Sequence, residues 1–169
     1  MKNGIIQYYV EGADEEALVK TLTSKLRVIR PGKVQKLNVV NSDITDARLR
    51  TLAPKTTVVL IFDTDTGQRE ILDRNIRRLK KCPSVSEVIL IPQVPNLESE
   101  LIRSCDIKQI TDLLNSKSVG DFKSDFKRIT NLDSKLQEHH FDIHRLWTGR
   151  PPIPYQNIEN QSSKIKLVK

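Results

Sequence analysis

One run of residues constrains this chain more than any other. Thr57-Val58-Val59-Leu60-Ile61-Phe62 is β-branched, aliphatic or aromatic throughout, carries no charge, and closes on Asp63-Thr64-Asp65. A strand with one wet face alternates apolar and polar residues, so an unbroken apolar run requires cover on both faces, as inside a parallel sheet. Ile5-Ile6-Gln7-Tyr8-Tyr9-Val10 is a second such run and ends on Glu11. With Val34–Val40 and Ser86–Pro92, the pattern predicts four strands, at about 4–10, 34–40, 57–63 and 86–92.

Helical spacing fills the gaps. Ala17, Leu18, Leu22 and Leu26 predict a helix over Asp14–Lys25, and Leu72, Ile76 and Leu79 predict another over Gln68–Lys81, with a shorter one near Thr45–Leu52. Strands alternating with helices give an α/β fold with a mainly parallel four-stranded sheet, in which the carboxyl ends of the strands share one edge. Glu11 and Asp63 then converge despite their separation in sequence. Past Pro95 the alternation stops. Ile107, Ile110, Leu113, Leu114, Phe122, Phe126, Leu132, Leu136 and Phe141 mark short amphipathic helices, a C-terminal helical extension. Beyond Trp147, the prolines of Thr148-Gly149-Arg150-Pro151-Pro152-Ile153-Pro154-Tyr155 preclude a helix and predict an extended segment, ending in the basic tail Lys164–Lys169. Trp147 and Tyr155 are expected to anchor this tail rather than stack on bases.

The acids stand where strands hand over to loops: Glu11, then Asp63 and Asp65, then Glu98 after Pro95. Magnesium is a hard cation that takes oxygen ligands and is usually gripped by one or two carboxylates together with substrate phosphate. In extended backbone, residues two apart point the same way, so Asp63-Thr64-Asp65 can aim two carboxylates at one ion. Glu11 is placed to ligate a second ion or to take a proton. Asp14, near a helix start, and Glu98 are further candidate ligands. Glu15 and Glu16 fit instead as partners of the positive end of the helix dipole, and Glu100 as a neighbour of Glu98 on a solvated face.

These residues together resemble a known family. Glu11-Gly12-Ala13-Asp14-Glu15 after one apolar strand, an apolar strand ending Asp63-Thr64-Asp65, and a third acidic station around Asn96-Leu97-Glu98 are similar to the Toprim domain of topoisomerases, bacterial primases, OLD-type nucleases and small RNA-maturation nucleases. The likeness covers roughly residues 4–102 and is strongest to the stand-alone and nuclease-associated Toprim proteins. It implies a Rossmann-like Toprim core over residues 1–102, followed by the helical extension at 103–146 and the extended basic tail at 147–169. It also implies a nuclease or other phosphodiester-acting enzyme, dependent on Mg2+ or Mn2+. Glu11, Asp63 and Asp65 would be its catalytic residues, with Asp14 and Glu98 among its metal ligands and Glu11 favoured as general base. The alternative is a non-catalytic binding module in a larger defence or repair assembly. The chain has no room for the separate domain carrying the attacking tyrosine of a topoisomerase. Asp-x-Asp also occurs in haloacid-dehalogenase phosphatases and sugar-nucleotide transferases, but the former need a downstream lysine and paired acids, a pair that Ile91-Pro92-Gln93-Val94 does not offer, and the latter normally use larger domains.

Charge fits a polyanionic partner, DNA or RNA: 28 Lys plus Arg stand against 21 Asp plus Glu, a net charge of +7. Arg74, Arg77, Arg78 and Lys81 form one stripe of the third helix and are the candidate phosphate contacts, the competing reading being a solvated helix face. No Gly-x-x-x-x-Gly-Lys-Ser/Thr loop is present, so ATP would have to act through a protein partner such as an ATPase. His140 and His144 have metal-ligand spacing, yet nothing completes a zinc site around them. No run of 18 apolar residues exists, the first residues lead straight into a strand, and Cys82 and Cys105 are the only two cysteines; the expectation is a cytoplasmic protein with reduced thiols and no membrane segment.

Overall fold

A computed structural model describes residues 4–167; the expectations resting on Met1–Asn3, Val168 and Lys169 lie outside the described residues. The fold is α/β, with a four-stranded, all-parallel sheet. In chain order the elements are β1 (Ile6–Val10), α1 (Ala13–Lys20) continuing into a π-helical turn (Thr21–Lys25), β2 (Lys33–Lys36), α2 (Asp46–Arg50), β3 (Thr56–Asp63), α3 (Glu70–Lys81) and β4 (Val85–Gln93). Among the described residues four further α-helices follow, α4 (Leu97–Ser104), α5 (Thr111–Leu114), α6 (Val119–Arg128) and α7 (Leu132–Glu138), and then a 3-10 turn (Ser162–Lys164). The strands lie in the order β2-β1-β3-β4, with Val10 beside both Lys36 and Ile61, and Asp63 beside Gln93.

The uncharged run sits where its composition requires. β3 is central, and every residue from Thr56 to Phe62 is buried. Its side chains alternate between two cores. Val59 and Ile61 join Ile6, Tyr8, Val10, Ile89 and Ile91 on one face, under Leu18 of α1, Leu22 of the π-helical turn and the helices α4 to α7. Val58, Leu60 and Phe62 join Tyr9 on the other, under Leu72 and Leu79 of α3 and Val39, Val40 and Ile44. Strand β2 is shorter than the alternation at 34–40 suggests. The Asn38 side chain accepts hydrogen bonds from the amides of Val40 and Asn41, both at 3.2 Å, so the chain turns there instead of continuing along the sheet.

The helical extension is one of the layers covering the sheet. α6 and α7 are too short to hold a helix alone. Phe122, Phe126, Leu132 and Leu136 bury themselves in the first core, each worth about 1.5–3 kcal/mol, and that burial keeps the helices in place. The segment after Trp147 corrects the expectation of an extended course. Tyr155 N–H donates to Pro152 O at 2.7 Å and Ile158 N–H to Tyr155 O at 2.9 Å, so the proline-rich stretch folds into successive turns. Trp147 is buried in the first core and Tyr155 in the second, so the chain crosses from one face to the other at the sheet edge. There Gln161 pairs with Leu90 through its backbone N–H and side-chain Oε1, both at 2.9 Å, covering the open edge of β4. The lysines that follow are tied in: Lys164 pairs with Glu87, and Lys166 Nζ donates to Leu146 O at 2.6 Å. Among the described residues no helix is long and apolar enough to cross a membrane.

Candidate functional site

The strand order defines one special crevice. From β1 the chain moves to β2 on one side and then returns to β3 on the other, so the connections diverge between β1 and β3. In open parallel sheets, ligands bind outside the carboxyl ends of the strands at such a point. Glu11 directly follows β1, and Asp63 is the last residue of β3.

A row of polar side chains runs across this edge in strand order. Asn38, past β2, donates Nδ2–H to Glu11 Oε1 at 2.8 Å. Glu11 Oε2 accepts the backbone N–H of Asp63 at 2.9 Å. Gln93, the last residue of β4, donates Nε2–H to Asp63 Oδ1 at 2.7 Å. Gln93 is fully buried, and its Oε1 faces the Trp147 indole N–H at 3.3 Å. Every strand contributes one member, so the position and orientation of both acids are fixed by the sheet.

The electrostatics of this edge are those of carboxyl groups crowded together and partly withdrawn from water. Burial, then the charge of Glu11, pushes the Asp63 carboxyl up to about 9, against the opposing hydrogen bond from Gln93. Glu15, on α1, is 8% exposed; burial, opposed by its own backbone N–H and reinforced by Glu11, Asp14 and Glu98, raises it to about 7. Asp14 is raised by burial, held down by Lys127, raised by Glu98 and held down by Lys123. Its Oδ1 is buried with no hydrogen-bond partner among the described residues. Glu98, half-buried in the first turn of α4, thus faces α1, whose start lies at the same edge.

Several expectations need correction. Asp65 is exposed and lies beyond the end of β3. The two-residue alternation that would aim it with Asp63 stops at Asp63, because Thr64 turns the chain through N–H to Pro95 O and Oγ1–H to Gln93 O, both at 2.8 Å. Glu15 is no solvated dipole partner but a buried member of the cluster. Its burial comes from tertiary packing, for which the sequence carries no local signal. Glu100 leaves the solvated face altogether: it is 0% exposed, accepts from Val94 N at 2.9 Å and from Trp147 N at 2.7 Å, and forms an ion pair with Arg103 at 2.6 Å.

The stripe on α3 is half consumed. Arg74 grips Asp43 through two hydrogen bonds, at 2.7 and 2.9 Å, and Arg78 binds the Asp46 carboxylate and Ile44 O. A helix that follows a parallel strand also runs back toward the amino edge. At about 1.5 Å per residue, Lys81 lies ~16 Å further along the axis than Glu70. The stripe therefore recedes from the acidic row.

Carboxylates raised by burial and by one another, with an orphaned Asp14 oxygen among them, are a donor set suited to a hard cation. Among the described residues, no three His, Cys, Asp or Glu side chains are gathered into a ready coordination group. Comparison of the chain with protein families, curated proteins and solved structures gives no match.

Proposed function

We propose that this protein is a Toprim-like, magnesium- or manganese-dependent enzyme that acts on phosphodiester bonds of nucleic acid. The observation that carries the reading is the pair Glu11 and Asp63, held side by side at the point where the strand connections diverge, with the Asp63 carboxyl raised by burial and by Glu11. Asp63, Asp14 and Glu98 would hold the ion, leaving Glu15 free to exchange a proton. A bound divalent cation supplies Lewis-acid polarisation of a phosphoryl oxygen and a more acidic water. The chain's own residues do the positioning. Gln93 fixes Asp63, while Asn38 and the Asp63 amide fix Glu11, so the acids need little reorganisation to meet a phosphate. Glu15, raised to about 7, holds or releases a proton near neutral pH and matches the demands of a general base better than an ordinary carboxylate.

One observation favours the second reading, a binding module with little catalysis of its own. Both oxygens of Glu11 are already engaged, by Asn38 and by the Asp63 amide, which is how a structural carboxylate is held. An activity assay separates the two. Purified protein with magnesium or manganese should cleave DNA or RNA, and Asp63→Asn should reduce the rate by roughly 100-fold or more at unchanged fold. Binding without cleavage on every substrate supports the module, and cleavage that persists in excess chelator refutes the metal reading.

A further inference from the structure

Helix α6 packs against α1, with Phe122 and Phe126 buried in the same core as Leu18 of α1. These anchors fix its rotation. Lys123 and Lys127, each one residue beyond a buried phenylalanine, stand one turn apart on an exposed flank. That flank adjoins Asp14, whose carboxyl the Lys127 and Lys123 ammonium groups hold down. Asp14 is the second residue of α1, so both lysines border the acidic row at the carboxyl edge of the sheet. Among the described residues neither forms an ion pair, whereas Arg74 and Arg78 on α3 both do.

A crowd of carboxylates repels a polyanion, so any nucleic acid seated there must be held by cations on the rim. We propose that Lys123 and Lys127 are the phosphate contacts that seat a nucleic-acid strand across the acidic row, an assignment that rests on the phosphodiester reading above. Side chains at i and i+4 have Cβ atoms about 5–6 Å apart, a spacing that long lysine arms can spread over neighbouring phosphates, which recur every ~3.4 Å of axis rise along a strand. Ammonium groups hold phosphates without reading bases, so the contact is indifferent to sequence. The free lysines beside the acids take the role that Arg74 and Arg78 cannot fill.

The test measures binding in chelator, where chemistry is silent. Fluorescence anisotropy with labelled mixed-sequence single-stranded and duplex DNA, titrated over salt, gives the slope of log Kd against log salt for wild type and for Lys123→Ala/Lys127→Ala. Loss of two phosphate contacts should flatten the slope by about 1.8 on duplex, or about 1.4 on single strands, and weaken binding at least ~10-fold at low salt. Lys123→Arg/Lys127→Arg should restore the slope, and Arg77→Ala/Lys81→Ala should leave it as in wild type. A wild-type slope in the Lys123→Ala/Lys127→Ala protein overturns the assignment while the phosphodiester reading stands. Absence of wild-type binding to either DNA also overturns the lysine assignment, while the phosphodiester reading is decided by the cleavage assay with metal.

Discussion

Replacing Asp63 by asparagine should stabilise the metal-free protein, although it removes the residue on which the proposed chemistry most depends. The folded protein keeps a proton on Asp63 up to about 9, while the unfolded chain releases it near ~3.9. Between those values the native state binds more protons than the unfolded one, so stability falls as pH rises through the window and levels off above it. Asparagine has no such proton to lose. It can still accept from Gln93 Nε2 and can offer an amide hydrogen toward Glu11, where a protonated Asp63 would donate. Every tenfold change in proton affinity corresponds to ~1.36 kcal/mol; with water screening a half-buried carboxylate, the advantage at pH 7.5 should be about 1–3 kcal/mol. For a chain of this size that is a rise of roughly 2–10 °C in Tm. Thermal melts in EDTA at pH 4, 5.5, 7 and 8.5 should show two curves that meet near pH 4 and separate steadily above it. Magnesium or manganese should then raise the wild-type Tm more than that of Asp63→Asn, because an ion bound only by the folded state stabilises it by mass action, by about 2.7 kcal/mol at a hundredfold excess over Kd. A variant less stable than wild type at every pH, with both proteins responding alike to metal, would refute the reasoning and make Asp63 a structural residue.

Two further substitutions probe the frame around the site. Glu100→Ala leaves the amides of Val94 and Trp147 and the Arg103 guanidinium without their buried acceptor, and chemical denaturation should record a loss of about 3–5 kcal/mol. Tyr155→Phe removes the hydroxyl that binds Gln68 O and Thr66 Oγ1 in the loop carrying Asp65; the expected cost is about 1 kcal/mol, with faster amide exchange confined to residues 64–69, and unaltered exchange there would show that the tail does not hold the loop.

The sheet was legible because its cause is local. A run such as Thr57–Phe62 can be buried on both faces only inside a parallel sheet, and the alternation with helices follows from the right-handed crossovers that parallel strands need. What could not be read was the edge of β2, where Asn38 ends the strand by capturing two backbone amides, and the course of the C-terminal segment. Nothing in Pro151–Tyr155 announces that Tyr155 will fill one face of the sheet while Trp147 fills the other. The hydrogen bonds of Tyr155 to Thr66 and Trp147 to Gln93 link residues 89 and 54 positions apart, beyond the reach of any periodicity.

The acids divide along the same line. Glu11 and Asp63 could be placed from sequence because each sits at a strand end, and the strand ends of a parallel sheet share an edge. Glu15 and Glu100 could not, since whether a helical carboxylate faces water or core depends on what packs over its helix, here the layer built by α4 to α7 and Trp147. The basic residues show the rule most clearly. Spacing alone put Arg74, Arg77, Arg78 and Lys81 on one stripe, but whether a cation is free to bind phosphate depends on acids supplied by other elements. Asp43 and Asp46 come from the connection between β2 and α2 and from the start of α2, and they engage two of the four. Lys123 and Lys127 gave no sequence signal of their own, since acids stand beside them at Asp121 and Asp125. The packing of α6 on α1 brings the charges of Lys123 and Lys127 to act on Asp14, the orphaned acid of the row. In this chain, which charges stay free to meet a ligand depends on the partners the fold gives or withholds, and those are set by packing rather than by spacing.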